Sequence, residues 1–309
     1  MIDVIIPVYR PDEKLEQLIE KLNTQTRKPE HVFFMQTLAG GEEDERVRKI
    51  LEKADRGQIV TIQKSEFDHG GTRNLGASLS KADYMLFMTQ DAVPAQDTLV
   101  EKLCVCFESH ERVAAAYGRQ LPGRQSGTIE RYTREFNYPP ESSVKEKADL
   151  ERLGIKTFFC SNVCAMYRRD VYEKLGGFVT RTIFNEDMIF AAGLIQAGYR
   201  IAYAAEAEVV HSHKYTYWQQ LTRNFDLAVS QRQYRQIFEQ VRSESEGMRL
   251  VKDTMKYLMK HGRWYLVPDL IMQSGFKWMG YKLGLRYESL PSGLVKKLSM
   301  NKSYWNERC

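Results

Sequence analysis

Glu186 and Asp187 open a helical stretch that reads through to Ala197, with Asn185 as its N-cap and Gly198 as its stop. Acids are common at helix starts because they complement the helix dipole. If this start faces a crevice, however, a carboxylate there can take the proton from an attacking hydroxyl, and no better-positioned general base is present. Asp91 follows the apolar run Tyr84 to Met88 and precedes Ala92, Val93 and Pro94. It reads either as a turn residue or as a strand-end carboxylate that helps hold a divalent cation, Mg2+ or Mn2+, against a diphosphate leaving group. His211 and His213 alternate in VVHSHKY. The expectation is that they point to opposite sides, so that one is a metal or phosphate ligand, with His211 preferred, and the other is structural or solvent-facing.

A further candidate is FDHGGTRNLG, residues 67 to 76, where two glycines and a threonine precede a helical stretch. Backbone amides at such a start, helped by the guanidinium of Arg73, suit a phosphate-bearing ligand; the bland alternative is a simple turn.

These residues need a frame, and the first half of the chain supplies one. Short apolar runs at Ile2 to Val8, Val32 to Met35, Ile59 to Ile62, Tyr84 to Met88 and Val113 to Tyr117 are separated by helical or loop segments. Leu15, Leu18, Ile19 and Leu22 recur at helical spacing after Pro11. Such alternation predicts βαβ units and an α/β, doubly wound, mostly parallel sheet. Ligands of such sheets bind beyond the carboxyl ends of the strands, so segments 7–10, 36–41, 63–72 and 89–94 should converge on one crevice. Pro7, Tyr9, Arg10, Asp68, Gly71 and Gln90 lie in those segments. Residues 119–156 are rich in Gly, Pro and charge, as an active-site loop or lid often is. Strand material recurs at Val163 to Tyr167 and Val209 to His211, and the pattern is mainly helical from Tyr217 onward.

Composition narrows the class. The apolar fraction of 43% and charged fraction of 28% are ordinary for a globular chain and argue against long disorder. The five cysteines form neither a CxxC pair nor a zinc-type quartet, so reduced thiols in the cytoplasm are the simpler reading. MIDVIIPVYR has no basic leader or cleavage site and reads as a strand, not a signal peptide. Residues 256–309 carry ten Lys or Arg against three Asp or Glu, about +7, whereas the remainder is about −2. That asymmetry points to an anionic surface. No RNA- or DNA-binding motif accompanies it, which excludes nucleic acid as the favoured partner.

Taken together, VIIPVYR, the helix after it, MTQDAVP and the NED at a helix start resemble the family 2 glycosyltransferases in kind and order. FDHGGTRNLG, YGRQLPG, FFCSNVCAMYRRDVYEKLGGF and AEVVHSHKYTYW are similar to the branch that transfers rhamnose from dTDP-rhamnose in bacterial surface polysaccharide synthesis; the likeness spans roughly residues 1 to 235. The resemblance implies a GT-A fold with a catalytic domain at 1–215, its nucleotide-sugar part ending near 118, and a helical region at 216–309. It implies that Asp91 is the last acid of the DXD metal motif and that Asp187 is the catalytic base, with Glu186 beside it. Asp68, Arg73 and Asn74 become donor-side candidates, and Arg119, Gln120, Asn162 and His213 sugar- or acceptor-side candidates. Two positions depart from the pattern: Gln36 stands where many members carry a base-binding acid, and Thr89 stands at the first acid of DXD.

The implied reaction is a single inverting displacement, in which an acceptor hydroxyl attacks the anomeric carbon as the nucleoside diphosphate leaves. The acceptor is a saccharide, carried on undecaprenyl diphosphate if the polysaccharide resemblance extends that far. A UDP-hexose donor is the alternative, and a non-catalytic binding protein of the same fold is a further one; an oligomer is possible. In the tail, aromatic and aliphatic residues such as Trp264, Tyr265, Ile271 and Trp278 are interleaved with Arg263, Lys277, Lys282 and Arg286. No run of 18 to 20 apolar residues occurs, so helices lying in the interface are expected, peripheral on the inner face of the cell membrane.

Overall fold

The computed structural model describes residues 1–239 and 244–306. Its elements begin β1 (Ile2–Val8), α1 (Lys14–Asn23), β2 (His31–Thr37), α2 (Glu42–Leu51), β3 (Gly57–Ile62), α3 (His69–Leu79), β4 (Tyr84–Met88), β5 (Val93–Pro94), α4 (Leu99–Ser109) and β6 (Val113–Leu121). They continue α5 (Thr128–Asn137), β7 (Ser143–Lys145), α6 (Leu150–Leu153), β8 (Cys164–Arg168), α7 (Arg169–Lys174), α8 (Glu186–Gln196) and β9 (Arg200–Val210). The last are α9 (Tyr217–Gln233), α10 (Arg235–Phe238), α11 (Glu244–Lys260), α12 (Val267–Gly284) and α13 (Ser292–Leu298). The chain divides into two units, one of residues 1–124, 137–180 and 186–212, the other of residues 125–136, 181–185 and 213–309.

The first unit is built on one sheet of order β3-β2-β1-β4-β8-β6-β9-β5, with β7 also paired to β9. Strands β3, β2, β1 and β4 are all parallel, as the alternating pattern predicts. β1 is apolar and buried along nearly its whole length, which is what a central strand covered on both faces requires. α1 turns Leu15, Leu18, Ile19 and Leu22 into the core that covers one of those faces. From β1 the chain winds outward to β3 and then returns to β4 on β1's other side, so β1 and β4 flank the switch point where such sheets bind ligands. α3 reaches β1 through glycine: a Cβ on Gly76 would stand 2.5 Å from Ile5 Cγ2.

Local patterning does not reveal direction, and the second half of the sheet differs accordingly. β8 runs antiparallel to both β4 and β6, and β5 and β7 run antiparallel to β9. β9 begins at Arg200, well before the expected Val209, and ends at Val210, leaving both His211 and His213 beyond the strand. Residues 119–156 are more ordered than a lid: Arg119 to Leu121 complete β6, and α5 and β7 follow. Gly198 stops α8 as expected, at φ +82° with Tyr199 N–H donating to Leu194 O. Cys104, Cys106, Cys160 and Cys164 are free thiols; Cys309 lies outside the described residues.

The second unit is helical. α9 and α12 pack along each other at backbone distance, since a Cβ on Gly280 would stand 2.1 Å from Leu221 O and one on Gly284 2.3 Å from Phe225 O. Ile183, Leu221, Phe225, Val229, Val295 and Leu298 form its main core. A second cluster joins Ile129 of α5 to Leu258 and Leu270. Asp226, buried on α9, accepts from Met300 N–H at 2.8 Å and so fixes the chain after α13. Asn185, expected as an N-cap, has φ +66° and donates its side-chain amide to Leu227 O at 3.2 Å.

Candidate active site

The carboxyl ends of the strands converge through Tyr9. Its N–H donates to Gln90 Oε1 at 2.8 Å, and its carbonyl accepts from Gln90 Nε2 at 3.0 Å. One amide thus ties the end of β1, where Pro7 is the last residue but one, to the end of β4. Arg10, held at φ +43°, and Lys64 both lie over the Tyr9 ring, 5.5 and 5.9 Å from its centroid. The pair of cations beside an aromatic face suits an anionic, stackable ligand such as a nucleotide.

At α3 the Asp68 side chain caps the helix, accepting from Gly71 N–H at 2.6 Å. Gly70 lets the helix approach the chain ahead, because a Cβ there would stand 2.0 Å from Val179 O. Asn74 is taken up internally: its Oδ1 accepts from Tyr172 OH at 2.5 Å and Phe178 N–H at 3.0 Å, and its Nδ2 donates to Phe178 O at 2.8 Å. Arg73, buried, points its guanidinium at Glu186 Oε1, 3.2 Å away, and donates to His69 O at 2.9 Å. Its Nε, also buried, has no hydrogen-bond partner.

This arrangement separates two adjacent acids. Burial pushes the Glu186 carboxyl up, but Arg73, His69 and nearby hydrogen bonds outweigh it and hold the group below the usual glutamate value. Asp187 is raised to about 7, by burial first and then by the charge of Glu186. Asp187 remains oriented: Oδ2 accepts from Asn162 N–H at 3.2 Å and Oδ1 from Met188 N–H at 2.7 Å. A carboxylate that titrates near neutrality and is fixed at a helix start has the properties of a general base.

Asn162 is itself pinned, with Tyr167 OH donating to its Oδ1 at 2.9 Å. Gln120, buried on β6, donates to Ser161 Oγ at 3.2 Å and sets its Oε1 3.1 Å from His211 Nδ1. With Nδ1 protonated and donating to Gln120, the other ring nitrogen faces Asp91, whose Oδ2 is 3.5 Å from Nε2. Arg119 pairs with Glu208 at 3.2 Å and donates to Tyr138 O.

Ligand atoms of Asp91, His211 and His213 lie within 4.8 Å of one another. The expected divergence of the two rings does not occur: residues two apart on an extended chain share a side, and both imidazoles lie near Asp91 just beyond the end of β9 at Val210. One carboxylate and two imidazoles form a donor set that fits a divalent cation, Mn2+ better than the oxygen-preferring Mg2+. At the first acid position of the expected motif, Thr89 offers only a buried hydroxyl without a partner. Gln36 likewise is no base-reading acid: it is buried and donates to Asp44 O at 3.0 Å.

Sequence reasoning missed two neighbours of this site. His69 stands one helical turn before Arg73, and burial lowers its pKa while Glu186 pulls it back; the i, i+4 spacing was the available signal. Lys145 is buried, with its ammonium donating to Tyr117 OH at 3.2 Å, to Lys156 O at 3.1 Å and to Phe159 O. Burial lowers its pKa to about 7. A lone lysine in a polar stretch gave no sequence signal, yet it fixes the segment that leads into Ser161 and Asn162.

A model of Glycosyl transferase family 2 matches residues 3–176. The O-antigen chain rhamnosyltransferase RfbN of Salmonella typhimurium is 39% identical over 307 residues, covering 99% of this chain and 96% of RfbN. WbaN of Salmonella anatum, also an O-antigen chain rhamnosyltransferase, is 38% identical over 306 residues, covering 98% of this chain and 95% of WbaN. Among solved structures, S. aureus TarS 1-349 superposes with a TM-score of 0.58 at 14% identity, covering 98% of this chain and 84% of that one, a likeness of fold.

Proposed function

The chain belongs to glycosyl transferase family 2, and from that premise we propose that it transfers L-rhamnose from dTDP-rhamnose to a saccharide acceptor, carried on undecaprenyl diphosphate at the inner face of the cell membrane. It is a glycosyltransferase, and its sheet and helices have the GT-A arrangement. The choice of rhamnose rests on the near full-length similarity to the two O-antigen rhamnosyltransferases.

Asp187 is the base. In the reaction it removes the proton of the acceptor hydroxyl, whose oxygen forms the new bond to the anomeric carbon. The bond from that carbon to the diphosphate breaks on the opposite side, so the configuration inverts and the nucleoside diphosphate departs with its electron pair. The observation that carries this reading is the Asp187 carboxyl at the start of α8, oriented by two backbone amides beside the Arg73 and Glu186 pair. Arg73, with its unpartnered Nε, and the Arg10 and Lys64 cations over Tyr9 serve the donor side. Asp68 and Gly71 shape the start of α3 for the donor, and Asn74 and Gln90 hold that side in place. Arg119, Gln120 and Asn162 line the sugar side. Asp91, His211 and His213 would hold a divalent cation, whose contribution is charge neutralisation at the diphosphate.

The test is incubation of the purified chain with a panel of dTDP-, UDP- and GDP-sugars and a lipid-linked saccharide, with products identified by mass. A deoxyhexose added from dTDP-rhamnose alone is the expected result. Transfer of a hexose from a UDP-sugar overturns the donor, and turnover of none of them overturns the reading.

A further inference from the structure

We propose that the outward face of α12, together with a basic row on α11, is a platform that seats the second unit on an anionic lipid bilayer. It deepens the reading of a lipid-linked acceptor, and its test does not depend on transfer.

The inner side of α12 is taken up by α9 through Gly280 and Gly284, and Leu270 is buried with Leu258 of α11. The opposite side should therefore be polar, as on an ordinary surface helix. It is not. Ile271, Met272, Trp278 and Met279 follow one another at helical spacing on that side, exposed at 54%, 45%, 62% and 41%, and Trp264 just before the helix is 66% exposed. Large apolar side chains exposed along one side of a helix in this way mark an interaction surface.

The neighbouring helix supplies the charge. Arg249, Lys252, Lys256 and Lys260 of α11 recur at spacings of three and four residues, which sets them on one side, and all are exposed. Exposed aromatic and aliphatic side chains on one helix and exposed cations on the next supply the two chemistries that a bilayer surface offers, the acyl boundary and the phosphates. A transmembrane span is not the occupant, because no helix among the described residues is long and apolar enough to cross. A second copy fits poorly as well: a two-fold contact through this face would bring the same basic row toward its own image.

The experiment is cosedimentation of the full chain with vesicles of phosphatidylglycerol and phosphatidylethanolamine, or of phosphatidylcholine alone, at low and high salt. Binding is expected to the anionic vesicles only, weaker at high salt, with a blue shift of tryptophan emission. The triple variant Lys252→Gln, Lys256→Gln, Lys260→Gln should bind about 10²-fold more weakly or less. The Ile271→Ser, Trp278→Ser variant, altered only at exposed positions, should lose the blue shift and most of the binding. Wild-type protein left in the supernatant at low salt overturns the proposal, as does unimpaired binding of the serine variant. A wild-type dimer that the serine variant converts to monomer in analytical ultracentrifugation overturns it in favour of a second copy. Transfer to a water-soluble saccharide should be unchanged in both variants; its absence in the wild type as well counts against the transferase reading and leaves this surface standing.

Discussion

Arg73 and Glu186 form a buried ion pair, Nη1 to Oε1 at 3.2 Å, and Glu186 is the residue directly before Asp187. The pair keeps one of two adjacent acids ionised, and that fixed negative charge, added to burial, raises the other to about 7. A single arginine in α3 thereby helps decide which carboxyl at the start of α8 is able to exchange a proton.

The first consequence is a pH dependence. A base works ionised, so turnover should rise with pH through about 7. In Glu186→Gln the neighbouring negative charge is gone while the positive charge of Arg73 remains, so the rising limb should move to lower pH. An unchanged profile in that variant would separate Asp187 from the titration.

Stability should follow the opposite course. The folded carboxyl of Asp187 lies above its unfolded value, so its contribution is complete at pH below the ordinary aspartate range and is lost as pH rises through about 7. Asp187→Asn removes that loss. The variant should melt at a higher temperature than the wild type at pH 8, while its turnover falls by about 10²-fold or more with donor affinity kept. A variant that is both active and no more stable would contradict the assignment.

For the cation, chelator should abolish transfer and Mn2+ should restore it more effectively than Mg2+, given two imidazoles in the donor set. Asp91→Ala and His211→Ala should each weaken Mn2+ binding measured by electron paramagnetic resonance, independently of turnover. Full activity in excess chelator would show that the cluster is not used.

Gly70→Ala tests the approach of α3 to Val179. Its Cβ would have to displace a backbone carbonyl from 2.0 Å, and a loss of about 1 to 3 kcal/mol in unfolding free energy is expected from denaturant titration. Gly193→Ala, where nothing lies within 4 Å, is the control and should be neutral or mildly stabilising.

What could be read in advance divides by range along the chain. β1 and α1 follow from apolar spacing alone, and the buried faces are the ones the period dictates. Asp91 at a strand end and the acids at the start of α8 were equally local. The direction of β8 was hidden because alternation is the same forwards and backwards. The approach of His211 and His213 to Asp91 is long-range: it comes from the pairing of β5, just after Asp91, with the end of β9, which no local pattern states. Lys145 was invisible for a different reason: a lysine is ordinarily a surface residue, and only three converging oxygen atoms make its burial tolerable.

The close seating of α12 on α9 has a consequence for how the outer surface can change over time. Each residue of a helix is turned about 100° from the one before, so the two glycines that contact α9 also dictate which side chains point away. Shifting Gly280 and Gly284 by one position would rotate Trp278 and Ile271 off the outer stripe and carry others onto it, with no change to those residues themselves. The outward character of the helix is therefore encoded at positions that have no side chain, and an inherited substitution there would alter what the surface presents before it altered any residue on that surface.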